Sequence, residues 1–395
     1  MHKQHEDDPV PGLSESGVIA RLRQRFSSAD RRLLVGMGDD AAVLRFGDAP
    51  ASGLKLNSAD IVVTCDLAIE GVHFSLRYMS LADVGYKTLA MNLSDLAAMG
   101  ALPAFAFGCL GLPRGVTAAQ VDALLDGVDE AARLGGIALA GGDTVAAPQW
   151  VIGFTLLGEL RGRPLKRAGA RPGDILWHSG KLGLSQVGLH ELWAGHVPVA
   201  DADDLPDSGS DEHVGSTYSP PATAAIRAHC RPVPQLELGR WLQRHELASA
   251  CLDLSDSLSQ CLLLLAEASG VGLALNFATY PFAEELREFA LAHVERTGAA
   301  GAGCSFRVPA RMEPAGRGTS YRSLAEFLLA SAEDFQLLFA APPSATARLL
   351  RETPAPLTRL GTVADSAEGC QYRDEAGALH PLTPSGFEHL GRREP

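Results

Sequence analysis

The segment YKTLAMNLSDLAAMGALPA (residues 86–104) combines an apolar helix pattern with an acid where apolar residues would be expected. Ser80, with Asp83 three positions on, resembles a capping box and opens a helix that runs to about Met99 and stops at Gly100. Leu89, Leu93, Leu96 and Ala97 form its core face, while Asn92 and Asp95 share another face one turn apart. Upstream, Ile61–Asp66 reads as a buried strand ending in a carboxylate, and Gly36–Asp40 as an acidic turn before the apolar Ala41–Leu44. Downstream, the pattern predicts a strand over Phe105–Leu110 and a helix over Ala118–Leu134. Strands follow at Ile137–Ala140 and Trp150–Leu160, separated by Gly141-Gly142-Asp143-Thr144. A helix is also expected over Ser14–Phe26.

Gly169, Pro172 and Gly173 mark a boundary before a strand over Asp174–His178. A helix is expected over Gln235–Arg244. A second acidic turn, Leu252–Asp256, precedes an apolar helix over Leu258–Ala268. Strands and helices interleave throughout, so the expected class is α/β (α+β) with two domains, residues 1–165 and 166–395. Polar residues 199–221 and Gly/Ala/Arg-rich residues 298–322 read as insertions in the second.

With 46% apolar and 21% charged residues among 395, the chain has the composition of a globular protein. Its net charge of −13 opposes nucleic acid, and no basic stripe with aromatics is present. Seven cysteines without a CxxC pair argue against a disulfide framework or a zinc site. The uncharged run Leu96–Pro113 is broken by Pro103 and glycines, so it is read as helix and strand rather than a membrane span; with no apolar leader visible, a cytoplasmic location is expected. Phosphate-loop, GxGxxG, HExxH and GxSxG motifs are absent.

The carboxylates therefore need another explanation. Asp39, Asp40, Asp66, Asp95, Asp143, Asp253 and Asp256 lie in apolar surroundings, mostly where a strand or glycine turn ends. Each alone could be a cap or turn residue. Clustered, they would repel one another, and divalent cations would relieve that repulsion. Mg²⁺ suits all-oxygen ligands and bridges carboxylates to phosphates. The pattern predicts metal-dependent phosphoryl transfer without a phosphate loop.

The stretches GMGDDAAVL (36–44), VTCDLAIEGVHF (63–74), YKTLAMNLSDLAAMGALPA (86–104), GGDT (141–144), RPLKRAGARPGD (163–174), LDLSDSL (252–258) and AEDFQLLF (332–339) resemble, in the same order, the thiamine-monophosphate kinase family of the aminoimidazole ribonucleotide synthetase-like superfamily. The resemblance implies a two-domain fold whose N-terminal domains pair in a homodimer, with ATP, Mg²⁺ and thiamine monophosphate as partners. It implies metal ligation by Asp40, Thr64, Asp66, Asp95, Asp143, Asp253 and Asp256, of which Asp95, Asp143 and Asp256 serve catalysis. Gly142, Asp143, Arg167 and Ser255 match nucleotide contacts, and His73 and Glu333 match substrate contacts, with Asp334 beside Glu333 an alternative partner for the thiazolium.

The sequence departs from the family at several points. Cys65 replaces a hydroxyl residue, Leu184 an Asp, Ser331-Ala332 a Gly pair and Gln336 a Glu; Pro384 takes the place of an aromatic. Ser257 replaces Gly, which sets an expectation of an altered, positive-φ turn there. Two other functions fit the residues: a different ATP-using synthase of the superfamily, or a nucleotide- and Mg²⁺-binding protein without turnover.

Overall fold

The computed structural model describes residues 31–45, 60–195, 220–293, 306–307 and 320–386. The helix expected at 14–26 lies outside them, as do residues 199–219 and most of 298–322. The first sheet contains β1 (Leu33–Val35), β2 (Ala42–Leu44), β3 (Asp60–Ile69), β4 (Leu102–Leu112), β5 (Ala138–Ala146) and β6 (Val151–Leu160), in the order β1-β2-β3-β6-β4-β5. Helix α1 (Leu81–Ala98) joins β3 to β4. Helix α2 (Ala118–Gly135) makes the crossover between β4 and β5, the parallel pair, which needs a long connection.

The second sheet holds β7 (Ile175–Ser179), β8 (Ala250–Asp253), β9 (Gly272–Asn276), β12 (Leu337–Ala341), β13 (Leu357–Ala364), β14 (Cys370–Arg373) and β15 (Leu379–Pro381). Their order is β15-β14-β9-β13-β7-β12-β8. A hairpin of β10 (Phe306–Arg307) and β11 (Ser320–Tyr321) stands apart. The helices of this half are α3 (Leu184–Gly195), α4 (Pro220–Cys230), α5 (Leu236–Arg244), α6 (Leu258–Ser269), α7 (Glu284–Ala292), α8 (Leu324–Ala330) and α9 (Thr346–Glu352). Among the described residues no helix is long and apolar enough to cross a membrane.

Helix α1 ties the halves together. Its predicted face, Leu89, Leu93, Leu96 and Ala97, is fully buried. Leu89, Leu93 and Leu96 belong to the core of the first sheet, whereas Ala97 and Ala98 pack with Trp177, Leu238, Cys251 and Phe339 of the second half. A helix covered on so many sides must also bury polar residues: Lys87, Thr88, Asn92, Ser94 and Asp95 are all buried on it. Ser80 caps α1 by accepting from the Asp83 N–H, while its hydroxyl donates to the Asp83 carboxylate, so the box is not reciprocal.

Two expectations are corrected. Gly141–Thr144 is not a turn between strands; it lies within β5, paired in parallel with Phe107–Leu110 of β4. Gly142 suits that position because a Cβ there would stand 1.8 Å from the Gly108 carbonyl oxygen. Ser257 does not need positive φ: it is extended, at φ −61° and ψ 146°, and caps α6 by accepting from the Gln260 N–H.

Helices α1 and α2 touch backbone to backbone. A Cβ on Gly127 would lie 1.8 Å from the Ala82 carbonyl oxygen, and one on Gly85 2.1 Å from that of Leu124. Neither backbone can yield as a flexible side chain would. Gly127→Ala is expected to cost about 1–3 kcal/mol as an overpacking change, read as a lowered urea midpoint with an unchanged slope.

Candidate active site

The site is built where α1 passes the ends of β3 and β8. Asp40 precedes β2, Asp95 lies in the last turn of α1, and Asp253 ends β8. One carboxylate oxygen from each lies within 4.8 Å of the other two. The residues are separated by 55 and 158 positions in sequence, so only the tertiary fold brings them together. Thr64, on the buried side of β3, donates its hydroxyl to Asp95 Oδ2. Asp66, two residues on, donates its backbone N–H to the Asn92 amide oxygen at 2.9 Å, and its charge acts on Asp40, Asp95 and Asp253.

Arg167 neutralises part of this charge. Its Nε donates to Asp40 Oδ1 at 3.0 Å, and its backbone N–H donates to Asp39 Oδ1 at 3.0 Å. The guanidinium expected to hold nucleotide thus already has a carboxylate partner. Ser255, the other expected nucleotide contact, donates to Asp253 Oδ1 at 3.2 Å.

The carboxyls are pushed toward their protonated forms. Asp40 rises to about 6, from burial first, opposed by Arg167 and reinforced by Asp39 and Asp66. Asp253 rises to about 7 through burial and then the charge of Asp40. Asp95 is raised well above the usual carboxylate range by burial and then by Asp66, Asp253 and Asp40. Among the described residues, Asp40 Oδ2 and Asp253 Oδ2 are buried without a hydrogen-bond partner. Unpaired buried carboxylate oxygens are costly, and here they belong to an all-oxygen set suited to a hard divalent cation. The residues fit Mg²⁺.

Not every expected ligand joins them. Asp143 is exposed on the edge strand β5, where its Oδ1 accepts from the Thr144 N–H. It pairs across the sheet with Cys109, which pairs with Gly153, which pairs with Leu67. Cross-strand partners share a face, so Asp143 lies on the open face with Leu67, opposite the face that carries Thr64 and Asp66. Asp256 is exposed in the turn after β8. Cys65 points to the open face and accepts from the Thr155 hydroxyl, away from the acidic cluster.

A second polar cluster lies one helical face away. Lys87 Nζ donates to Glu333 Oε2 at 3.0 Å and lies 3.2 Å from His229 Nε2. His229 Nδ1 is 3.0 Å from the Ser185 hydroxyl, and burial followed by the Lys87 charge pushes this histidine down to about 3, so it is neutral. Burial opposes ionisation of Glu333, but the adjacent Lys87, by charge and hydrogen bond, together with His229 and His73 holds the carboxyl below its ordinary value. Lys87, Glu333 and His73 line a small pocket with Phe74, Met79 and Met91. His73 accepts the Ile69 N–H at Nδ1, at 3.1 Å.

The structure separates Glu333 from Asp334. Asp334 accepts from the Gly183 N–H at 2.6 Å and the Ser185 N–H at 3.1 Å, capping α3, while Glu333 faces the pocket. Leu184, where an acid was expected, opens α3 beside the backbone that Asp334 caps. Glu333 and Phe335 adopt φ of +59° and +48°, a conformation L-residues seldom take. Backbone bonds from Glu333 N–H to Ser255 O and from Phe335 N–H to Leu254 O hold this strained segment beside β8. Sequence reading missed Lys87 and His229; the available signal was a lysine inside the apolar repeat of α1.

Comparison with known proteins agrees with this architecture. Residues 38–160 match the AIR synthase related protein, N-terminal domain. The chain is 34% identical over 254 residues to the thiamine-monophosphate kinase of Bacillus subtilis strain 168, covering 64% of this chain and 70% of that protein. It is 30% identical over 380 residues to the thiamine-monophosphate kinase of Rhodopirellula baltica, covering 95% and 97% respectively. The solved structure of AaThiL complexed with AMPPCP and TMP superposes with a TM-score of 0.72 at 25% identity, over 97% of this chain and 99% of that one. These features define an aminoimidazole ribonucleotide synthetase-like α/β protein. The chain belongs to the thiamine-monophosphate kinase family.

The raised carboxyls set a pH dependence. A carboxyl whose pKa is higher folded than unfolded favours folding most below its unfolded value and loses that contribution as pH rises through its folded value. With Asp40 and Asp253 raised from 3.8 to about 6 and about 7, the cluster should lose stability between about pH 4 and pH 7 when divalent ions are chelated. Denaturation across that range should show a shallower decline for Asp253→Asn than for the wild type.

Proposed function

We propose that this protein transfers the γ-phosphate of ATP to thiamine monophosphate, giving thiamine diphosphate and ADP, with Mg²⁺ held by Asp40, Asp95 and Asp253. The observation that carries this reading is the buried three-carboxylate cluster, with two unsatisfied oxygens, in a chain of this family. The complex of AaThiL with AMPPCP and TMP supports the pairing of an ATP-like nucleotide with TMP.

An oxygen of the acceptor phosphate attacks the γ-phosphorus, forming the new P–O bond as the bond to the β–γ bridging oxygen breaks and ADP departs. The acceptor is already an anionic nucleophile, so no general base is needed. Bound Mg²⁺ would offset repulsion between the two polyanions. Thr64 fixes the Asp95 carboxylate, and Ser255 steadies Asp253. Arg167 balances Asp40 and stands where it can turn to nucleotide phosphate once the carboxylate is otherwise satisfied. Asp66 and Asp256 complete the proposed ligand set around the phosphates. Glu333 and His73 meet the substrate at the pocket.

We place Asp143 and Gly142 at a boundary between subunits. The open face of the first sheet exposes Leu67, Phe105, Phe107 and Val145, each more than a third accessible. An apolar face of this kind supports a homodimer through the N-terminal half, and Asp143 lies on it. We divide the chain at 165/166 into the two sheet-bearing halves, and the reading carries a cytoplasmic location.

ADP release from ATP and Mg²⁺ should depend on thiamine monophosphate, with thiamine diphosphate as the product; ATP use without that dependence would point to another synthase. Asp95→Asn should lower kcat by at least about a hundredfold, given the several kcal/mol that charge stabilisation by a metal supplies. In sedimentation, Phe107→Asp should convert a dimer to a monomer.

A further inference from the structure

The Lys87–Glu333 pair lines a small pocket whose other walls are the apolar Ala68, Phe74, Met79, Val84 and Met91 and the polar His73 and Thr88. Lys87 is nearly enclosed, with a side chain only 5% exposed, while that of Glu333 is 28% exposed. Among the described residues, Lys87 Nζ is bonded to Glu333 and lies beside a neutral His229, so Glu333 supplies its charge compensation in the free protein. A buried ammonium that loses its counter-ion pays a large penalty. A ligand that captures Glu333 with a positive group must therefore also provide an anion for Lys87.

Helix α1 gives this requirement a direction. Lys87 and Asp95 are eight residues apart, about 12 Å along the axis at 1.5 Å per residue. Met91 lines the pocket between them, and Thr88 and Asn92 continue the helix face toward Asp95. A ligand reaching from Glu333 toward the acidic cluster passes Lys87 on the way.

We propose that the Lys87–Glu333 ion pair is a charge filter that admits a zwitterionic acceptor, its cationic ring on Glu333 and its phosphate on Lys87, and disfavours a cation lacking the phosphate. This rests on the reading of the chain as a thiamine-monophosphate kinase. Thiamine monophosphate carries both charges and thiamine only the positive one. With thiamine, the ring cation would compete with Lys87 for Glu333 and leave the ammonium buried without an anion. Lys87 is thus a specificity-determining residue, and Ser185 and His229 are positioning residues that hold its Nζ.

The test compares binding of thiamine monophosphate and of thiamine, by calorimetry with Mg²⁺ and AMPPCP present, in the wild type, Lys87→Met and Lys87→Arg. Wild-type kinase activity is measured first; absence of thiamine diphosphate formation would overturn the functional reading itself. With that activity in hand, the filter predicts that Lys87→Met weakens thiamine monophosphate at least tenfold while thiamine binds as well or better. Lys87→Arg should keep the wild-type preference within about threefold. Equal losses for both ligands in Lys87→Met, with Mg²⁺–AMPPCP binding intact, would make Lys87 merely structural and sink the proposal. If Lys87→Met fails to fold, Glu333→Gln decides: the filter predicts a larger loss for thiamine, which relies on Glu333 alone, and equal losses would count against it.

Discussion

Three carboxylates with oxygens held within 4.8 Å of one another, two of them on regular elements and their side chains buried, are the constraint on which this molecule is arranged. Left alone, such a cluster opposes folding, because burial and mutual repulsion both disfavour ionisation. The fold tolerates it by surrounding it with partial remedies: Arg167 on Asp40, Thr64 on Asp95 and Ser255 on Asp253. None of these saturates the oxygens, and two remain unpaired. A binding centre for a hard cation has this signature, with enough support to keep the chain folded and enough unmet demand to drive binding.

Helix α1 carries the consequence into the rest of the structure. Its apolar positions would suffice for an ordinary core helix, yet it also buries Lys87, Thr88, Asn92, Ser94 and Asp95. Thr88 bonds back to the Val84 carbonyl of the same helix, while Lys87, Asn92 and Asp95 find partners from both halves. Asp253 and Glu333 lie in the second sheet's half, and His229 on α4. The polar stripe thus fixes the position of the two sheets through specific hydrogen bonds and charges, while Ala97 and Ala98 supply the apolar contact between them. Backbone strain at Glu333 and Phe335 fits the same picture: the segment holding the pocket carboxylate is bent into an uncommon conformation by bonds to Leu254 and Ser255, the residues that follow Asp253.

The departures from the family pattern have physical accounts in several places. Ser257 supplies an ordinary helix cap where glycine would have allowed a freer turn. Asp334 caps α3 from a distance, whereas nothing in the structure explains Leu184. Gln336 accepts from the Ser179 hydroxyl at 2.8 Å, giving the position a structural bond between strands. These changes fall in the second half and replace local interactions with others, leaving the acidic cluster on α1, β8 and the turn before β2 in place.

By itself the sequence determined the elements and the kind of chemistry. The 3.6-residue repeat of α1, the apolar runs of β3 and β6 and the cap at Ser80 are local signals, legible because their causes lie within a few residues. Aspartates in apolar surroundings likewise set an expectation of hard-cation chemistry, because buried carboxylates need compensation. Only the tertiary structure decided which acids meet. Asp40, Asp95 and Asp253 converge, while Asp143, equally prominent in sequence, lies on the opposite face because GGDT is an edge strand and not a turn. It alone revealed the pairing of Lys87 with Glu333, 246 residues apart, and the division of labour between Glu333 and Asp334. Strand register and helix packing choose among residues that are chemically alike, and those choices arise from contacts between segments that no local pattern records.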